Sequence, residues 1–249
     1  MSTPALEVTG LEFAYPDGTQ VLRGTEFHIH PGERVALLGA NGAGKTTLVL
    51  HLNGILRPQA GTVTVAGLPL DQHNLAEIRR RVGIVFQDPD DQLFMPTVYR
   101  DVAFGPANFG IGQPELDQRV GTALAAVGME GVTPRAPHHL SLGERRRVAI
   151  ATVLACRADI LVLDEPSSNL DPAARRELAD LLEGLDITLL MVSHDLPYAL
   201  RLCPRTLILS EGRIVADGPT EELLGNQALL AANRLELPYR FSSSSIQSQ

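Results

Sequence analysis

The segment from Gly39 to Thr46 constrains the fold of this chain more strongly than any other part of the sequence. It reads Gly-Ala-Asn-Gly-Ala-Gly-Lys-Thr and places two glycines, a lysine and a hydroxyl residue at the spacing of a phosphate-binding loop. An apolar run at 35–38 precedes the loop, and a helical pattern at 46–56 follows it. Glycines let successive backbone N–H groups turn toward an anion, and the positive end of the following helix points at the same anion. This order of strand, loop and helix predicts an α/β fold with a phosphate site.

The residues of this loop have distinct expected roles. We expect Lys45 to neutralise the β- and γ-phosphates of a nucleotide and Thr46 to ligate Mg²⁺. Lys45 is the only lysine among 21 basic residues, so the chain has no second lysine for the Asn-Lys-x-Asp element that reads guanine. The expected nucleotide is therefore ATP. The predicted nucleotide-binding residues of the loop are Gly39, Asn41, Gly42, Ala43, Gly44, Lys45, Thr46 and Thr47.

Hydrophobic patterns elsewhere predict the rest of the sheet. Continuous apolar runs, which suit parallel strands covered on both faces, occur at 35–38, 82–86, 160–163, 187–192 and 206–209. Alternating patterns predict further strands at 6–15, 25–30 and 62–65. Helical patterns occur at 46–56, 120–127, 144–156 and 173–182. Strands that alternate with helices predict an α/β sheet, and the stretch from 91 to 140, without a strong strand signal, is expected to be a mostly helical insertion.

Polar residues stand at the ends of three of the apolar runs. They are Gln87, the adjacent pair Asp164 and Glu165, and His194. Because ligands bind at the carboxyl ends of strands in open α/β sheets, we expect these side chains to lie beside the phosphate loop. Phosphoryl transfer depends on positioning and charge neutralisation. We therefore expect Asp164 to hold Mg²⁺, Glu165 to deprotonate the attacking water, and Gln87 to contact both. His194 is expected to hydrogen-bond the γ-phosphate.

The composition narrows the classes of function. The 29 acidic residues outnumber the 21 basic ones, which gives a formal net charge of −8, so no nucleic-acid partner is expected. The longest stretches without a charged residue, at 58–70 and 102–114, are too short for a membrane-spanning helix of about 20 residues. We expect no secretory signal in residues 1–10. Two cysteines, Cys156 and Cys203, form no disulfide framework and fit a reducing cytoplasm.

Further motifs make the chain resemble the ABC-type ATPases. Residues 140–144, Leu-Ser-Leu-Gly-Glu, resemble the family signature Leu-Ser-Gly-Gly-Gln and precede the Asp-Glu pair. Residues 168–171 resemble the family's D-loop, and residues 193–195 resemble its His switch. Tyr15 falls where the family places an aromatic residue that stacks on adenine. The likeness extends from about residue 6 to residue 224.

This resemblance implies a fold and a domain organisation. The expected fold is an α/β phosphate-loop NTPase of ABC type. A mostly parallel central sheet would be joined by an N-terminal antiparallel β subdomain and by a helical subdomain at about 92–150. The ATPase domain would cover residues 1–225, and residues 226–249 would form a C-terminal extension with a flexible tail.

The resemblance also implies a head-to-tail dimer that holds two ATP molecules, each between one subunit's phosphate loop and the other's signature. Leu142 and Glu144 depart from the family pattern at two positions of the signature. The serine and the second glycine, which contact the γ-phosphate across the family's interface, are present. The residues expected to act in trans are Ser141, Gly143, Glu144 and Asp171. Both a homodimer and a heterodimer fit this arrangement.

Residues 86–94 narrow the resemblance to the energy-coupling factor importers, especially the cobalt/nickel ATPases, and residues 102–106 and 235–238 fit the same group. The likeness implies a peripheral ATPase on the cytoplasmic face of the membrane. Its partners would be a transmembrane coupling subunit and a substrate-binding membrane component. Cobalt or nickel is the expected substrate, and a vitamin such as biotin is the alternative. A non-transport ABC ATPase of repair, translation or cluster assembly also remains open.

Two sets of residues allow more than one interpretation. Four apolar residues either border the groove that receives a coupling helix in such importers or pack the helical insertion; they are Leu93, Phe94, Val98 and Phe104. The basic triplets at 79–81 and 145–147 are expected to be solvated helix faces, and contact with a partner or with the nucleotide is the alternative.

Overall fold

The computed structural model describes residues 3–238. Residues 239–249, the last part of the extension and tail predicted at 226–249, lie outside the described residues. None of the helices within 3–238 combines the length and the apolar character that crossing a membrane requires.

The strands of the described chain alternate with helices from β3 onward. The strands are β1 (Leu6–Ala14), β2 (Gln20–Ile29), β3 (Arg34–Leu38), β4 (Ala60–Val65), β5 (Leu68–Pro69), β6 (Val82–Val85), β7 (Ile160–Asp164), β8 (Thr188–Ser193), β9 (Arg205–Ser210) and β10 (Arg213–Pro219). The helices are α1 (Lys45–Leu52), α2 (Leu75–Arg81), α3 (Val98–Asn108), α4 (Glu115–Ala126), α5 (Leu142–Ala155), α6 (Pro172–Glu183), α7 (Leu196–Leu202), α8 (Thr220–Gly225) and α9 (Gln227–Ala232).

The larger sheet is mostly parallel, as the continuous apolar runs predict. Its strand order is β10-β9-β3-β8-β7-β6; the strands from β9 to β6 are parallel, and β10 pairs antiparallel with β9. Every residue of β7 and β8 is buried, which is why their sequences lack polar alternation. The carboxyl ends of β3, β6, β7 and β8 therefore meet at one edge of the sheet, where ligands bind in such folds.

The smaller sheet is antiparallel, with the order β2-β1-β4-β5. In β1 the buried side chains of Leu6, Val8, Leu11 and Phe13 are separated by more exposed residues. They pack in one core with the residues of one face of the larger sheet. The alternating pattern of the sequence thus marks a sheet with one covered face.

The stretch from 92 to 140 contains α3, α4 and short 3₁₀ turns, as the sequence indicates. Apolar residues of α3 and α4, including Val102 and Leu124, share a core cluster with Val148 of α5. The same cluster includes Leu163 of β7. Helix α5 therefore packs against both the helical insertion and the central sheet.

Several elements differ from the sequence predictions. Strand β2 begins at Gln20 rather than at 25, and helix α4 begins at Glu115 rather than at 120. Three further differences have a physical reason. Helix α1 ends at Leu52 rather than at 56, because Gly54 adopts a φ of +72° that turns the chain. Helix α5 begins at Leu142 rather than at 144, because Ser141 caps it. Strand β10 was not predicted, since its alternation is weak and its C-terminal residues are glycine and proline at a sheet edge.

Candidate functional site

The phosphate loop connects β3 to α1 at the carboxyl edge of the larger sheet. Gly44 has a φ of +104°, and a Cβ there would lie 3.0 Å from Cγ1 of Val21. A Cβ at Gly39 would lie 2.5 Å from the carbonyl oxygen of Leu209. Both positions therefore require glycine. Because α1 begins at Lys45, its first N–H groups lack partners within the helix and are available to an anion.

The Lys45 side chain lies back along this loop. Its Nζ donates to the carbonyl oxygens of Gly39 at 2.7 Å and Ala40 at 3.1 Å. Burial lowers the pKa of Lys45, and the nearby Glu165 and Asp164 carboxyl groups oppose that change. The ammonium is thus held beside the loop by weak neutral acceptors, which a phosphate can replace.

Thr46 and Asp164 meet across the cleft. Thr46 Oγ1 donates to Asp164 Oδ2 at 3.1 Å, although the two residues are far apart in the sequence. Burial raises the pKa of Asp164, and the Thr46 hydrogen bond opposes this effect. The folded chain therefore holds a carboxylate at a site where its charge is poorly solvated.

Glu165 and His194 form the second polar pair. Glu165 Oε2 lies 2.8 Å from Nδ1 of His194 and 3.3 Å from its backbone nitrogen. Glu165 is buried, whereas 63% of the His194 side chain is exposed. Glu165 also adopts a φ of +50°, an unusual conformation for a residue with a Cβ, and its N–H donates to the carbonyl oxygen of Val192. The backbone thus turns sharply after β7 and aims the carboxylate at the end of β8.

A cleft of about 300 Å³ brings most of the predicted cis residues together. Gln87, which follows β6, lines it opposite the phosphate loop. The complete lining is Val21, Asn41, Gly42, Gly44, Lys45, Thr46, Thr47, Gln87, Asp164 and Glu165. Four of the predicted cis residues do not line it: Tyr15, Gly39, Ala43 and His194.

Tyr15 lies next to the phosphate loop. Its hydroxyl group and Thr47 Oγ1 are 3.1 Å apart, and its ring packs edge-to-face against Phe13 with centroids 5.1 Å apart. The ring is partly exposed. It therefore stands where an aromatic face is available to a nucleotide bound at the loop.

The signature residues lie away from the cleft within the single chain. Ser141 caps α5 by accepting from the Glu144 N–H, and the Glu144 carboxylate accepts from the Ser141 N–H at 2.7 Å. These hydrogen bonds lower the pKa of Glu144. Ser141, Gly143 and Glu144 do not line the cleft. Glu144 replaces the glutamine of the family signature, and the helix cap is kept because a Glu completes the capping box as a Gln does.

Asp171 caps α6, where its carboxylate accepts from the N–H groups of Ala173 at 2.8 Å and Ala174 at 3.0 Å. It also does not line the cleft. A Cβ on Gly143 would lie 3.2 Å from Cβ of Ala174, so the starts of α5 and α6 approach each other closely.

Arg146 is the functional-site residue that the sequence interpretation missed. The triplet 145–147 was expected to be a solvated face, but Arg146 is only 2% exposed. Its guanidinium donates to carbonyl oxygens of Gln87, Glu165, Pro166 and Ser168. Burial lowers the pKa of Arg146, and the nearby Asp88 carboxylate opposes that change.

A second groove, of about 280 Å³, lies between α3 and the end of β6; we call it the Phe94 groove. Phe94 and Phe104 line it, are 62% and 41% exposed, and pack edge-to-face with centroids 5.0 Å apart. Leu93 and Val98 are buried instead, so for these two residues the packing interpretation is correct.

The fold and the cleft define a phosphate-loop nucleotide-binding protein. The ABC transporter family model matches residues 22–168. A putative ABC transporter ATP-binding protein of Streptomyces avermitilis is 68% identical over 246 residues, which cover 99% of this chain and 94% of the relative. The energy-coupling factor transporter ATP-binding protein EcfA of Methanothermobacter thermautotrophicus is 47% identical over 238 residues, covering 94% of this chain and 76% of the relative.

Solved structures of ABC proteins are also similar to this chain. CbiO1 of Clostridium perfringens, part of the ABC transporter complex cbiONQ, matches with a TM-score of 0.82 and 37% identity, covering 95% of this chain and 97% of that one. A dimeric ATP-binding cassette bound to ADP and Pi matches with a TM-score of 0.76 and 26% identity, over 86% and 98% of the two chains. The chain belongs to the ABC transporter ATPases, in the energy-coupling factor group, and is the ATP-hydrolysing subunit of a transporter.

Proposed function

We propose that this ATPase energises an importer of cobalt or nickel ions, as a peripheral subunit on the cytoplasmic face of the membrane. Its partners are a transmembrane coupling subunit and a substrate-binding membrane component. The metal-ion preference follows from the resemblance of residues 86–94 to the cobalt/nickel ATPases. A vitamin such as biotin is the second candidate substrate.

One structural observation supports the link to a membrane partner. The segment 86–94 connects the nucleotide cleft, which Gln87 lines, to the Phe94 groove. Gln92 braces this segment, because its Oε1 accepts from the Phe86 N–H at 3.2 Å and its Nε2 donates to the Ala149 carbonyl at 2.9 Å. An exposed aromatic groove suits an apolar helix face from a partner. A partner seated there would move with the segment that carries Gln87.

The hydrolytic roles follow from the geometry of the cleft. The Lys45 ammonium leaves its two carbonyl acceptors and binds the β- and γ-phosphates. Glu165 accepts a proton as the water oxygen bonds to the γ-phosphorus and the bond to the ADP oxygen breaks, which yields ADP and phosphate. His194 orients Glu165 through their hydrogen bond and is exposed enough to meet the γ-phosphate.

The residues fit a bound Mg²⁺. Thr46 Oγ1 and Asp164 Oδ2 are 3.1 Å apart, close to the separation of neighbouring oxygens in an octahedral site with bonds of about 2.0–2.1 Å. The amide of Gln87, which also lines the cleft, would supply a further oxygen. When bound, the ion neutralises charge on the phosphate oxygens.

The site needs a second subunit to be complete. Ser141 and Gly143 stand at the start of α5, outside the cleft of their own chain, and Asp171 stands at the start of α6. In a head-to-tail dimer these residues reach the partner's nucleotide, and the N-terminus of α5 faces the γ-phosphate. The dimeric cassette bound to ADP and Pi supports this arrangement. One complete set of residues makes a homodimer feasible.

Uptake by reconstituted vesicles tests this function. The tagged chain is purified from detergent-solubilised native membranes with whatever membrane proteins it retains, and the complex is inserted into liposomes loaded with MgATP. ATP-dependent uptake of labelled cobalt or nickel is the expected result. Uptake of biotin alone would favour the vitamin candidate. Recovery of the chain solely in the soluble fraction would favour a non-transport ATPase.

A further inference from the structure

The arginine triplet of α5 divides into two surface residues and one buried residue. Arg145 Nε lies 3.3 Å from Asp90, and Arg147 Nη2 lies 3.8 Å from Glu177. Arg146 is 2% exposed and is the largest fully buried side chain in residues 3–238. Three identical side chains in sequence therefore have different environments, and only the middle one is a buried cation.

The two terminal nitrogens of the Arg146 guanidinium donate to backbone carbonyls alone, whereas its buried Nε has no hydrogen-bond partner among the described residues. Nη1 donates to the carbonyl oxygens of Glu165 and Pro166, both at 2.8 Å. Nη2 donates to those of Gln87 at 2.9 Å and Ser168 at 3.3 Å. Within the described chain it forms no ion pair with a carboxylate. A buried charge is costly unless it is hydrogen-bonded, so these four bonds hold the guanidinium and the carbonyls together.

The four carbonyls belong to segments that the cleft depends on. Gln87 follows β6, and Glu165 follows β7. The Glu165 carbonyl is fixed in a residue whose φ of +50° is strained and persists only where its surroundings determine it. The Arg146 side chain thus fixes the backbone of Gln87 and Glu165, two residues whose polar side chains line the cleft.

We call Arg146 and its four carbonyl partners the Arg146 clamp. Helix α5 connects this clamp to the signature residues 140–144. Ser141 caps the helix five residues before Arg146, or about one and a half turns. Between them the chain is continuous hydrogen-bonded helix. A displacement of Ser141 by a ligand would therefore move the guanidinium and the loops attached to it.

We propose that Arg146 is a positioning residue for ATP hydrolysis, which holds the main chains of Gln87 and Glu165 in register with the signature end of α5. It touches neither nucleotide nor water and acts through the loops that it binds. This inference rests on the proposed roles of Gln87 and Glu165.

The first test compares Arg146→Lys with Arg147→Lys as its matched control. A lysine keeps the charge but lacks the planar fork that reaches four carbonyls. We expect kcat to fall about tenfold or more, since at least one charge-assisted hydrogen bond is lost. KM and MgATP affinity should change less than about twofold, because the phosphate loop is untouched. Arg147→Lys should match the wild type. Wild-type kcat in Arg146→Lys would overturn the proposal.

A double-mutant cycle separates positioning from general destabilisation. Single-turnover hydrolysis is measured with enzyme in excess of ATP, for Glu165→Gln with and without Arg146→Lys. Arg146→Gln, whose side chain retains two donors, is measured as a second clamp variant. If Arg146 acts by placing Glu165, the clamp substitutions should slow the wild type strongly and Glu165→Gln very little. Equal fold-losses in both backgrounds would contradict the proposal. Wild-type turnover in Glu165→Gln alone would instead refute the assignment of Glu165, so the two failures are distinguishable.

Discussion

His194 Nδ1 lies 2.8 Å from Glu165 Oε2 at the carboxyl ends of two adjacent parallel strands. The two residues differ in exposure, since Glu165 is buried and His194 is mostly open to solvent. A carboxylate held by an imidazole in this way has a fixed orientation before any nucleotide arrives. The pair therefore fixes the carboxylate that we propose as the base for the attacking water, and the roles of its two residues can be tested separately.

His194→Ala should lower kcat about 100-fold, because Glu165 loses its orienting partner and the γ-phosphate loses a donor. ATP affinity, measured by fluorescence titration, should change by less than about threefold, since the phosphate loop supplies most of the binding. His73→Ala, at an exposed position outside the cleft, is the control. A His194→Ala enzyme with wild-type kcat would refute a hydrolytic role for the pair.

Lys45→Arg tests whether the loop requires a compact ammonium. The Lys45 Nζ fits between the carbonyls of Gly39 and Ala40, where a planar guanidinium has little room. We expect ATP affinity to fall at least about tenfold, which corresponds to one lost charge-assisted hydrogen bond. Arg119→Lys, in an ion pair with Glu115 on α4 outside the cleft, should leave affinity unchanged. Calorimetric titration with MgATP compares the two variants.

Asp164→Asn should have opposite effects on stability and catalysis. Burial raises the pKa of Asp164 in the folded chain above the ordinary value of 3.8. Near neutral pH the folded state therefore bears the cost of a poorly solvated charge, and this cost disappears as the pH falls through the raised pKa. Asparagine cannot ionise but can still accept from Thr46. We expect it to raise the free energy of unfolding by about 1 kcal/mol at pH 7, a typical size for a stabilising substitution.

The same variant should hydrolyse MgATP about 100-fold more slowly or worse, because a charged metal ligand is lost. Chemical denaturation without Mg²⁺ or nucleotide at pH 7 and at about pH 4, close to the ordinary Asp pKa of 3.8, measures the stability effect. The stabilisation should be smaller at the acid pH. A destabilised variant at pH 7 would contradict the electrostatic argument.

Phe94→Glu combined with Phe104→Glu tests the Phe94 groove as the membrane-partner site. Both rings are exposed, so the free energy of unfolding should change by less than about 1 kcal/mol. We expect the basal ATPase rate of the isolated chain to be retained, while co-purification with membrane proteins is lost. Val215→Glu, at an exposed apolar residue of β10, is the matched control and should co-purify normally. Normal co-purification of the double variant would exclude the groove as the docking site.

The sequence predicted the parts of this molecule that depend on local pattern. The apolar run at 160–163 identified a buried parallel strand because no residue of it faces water. The phosphate loop was recognisable because its glycines, lysine and threonine must stand at fixed spacing. The end of α1 was misplaced because the helical pattern continues past Leu52, whereas the turn at Gly54 ends it.

Arg146 shows what local pattern misses. Nothing in Arg-Arg-Arg distinguishes its middle residue, and a charged triplet on a helix is usually solvated. Its burial depends on carbonyls contributed by the segments after β6 and β7, where Gln87 and Glu165 lie 59 and 19 residues from Arg146 in the sequence. Only the folded topology brings these acceptors together.

The most direct test of the account is the oligomeric state of Glu165→Gln in MgATP. Glu165 is the proposed base, and two subunits are proposed to enclose each ATP. The variant should therefore elute from a size-exclusion column as a dimer with ATP, and as a monomer with ADP or without nucleotide. Ser141→Ala in the same background should weaken the dimer. A monomer in MgATP that turns over at the wild-type rate would contradict both the base and the composite site.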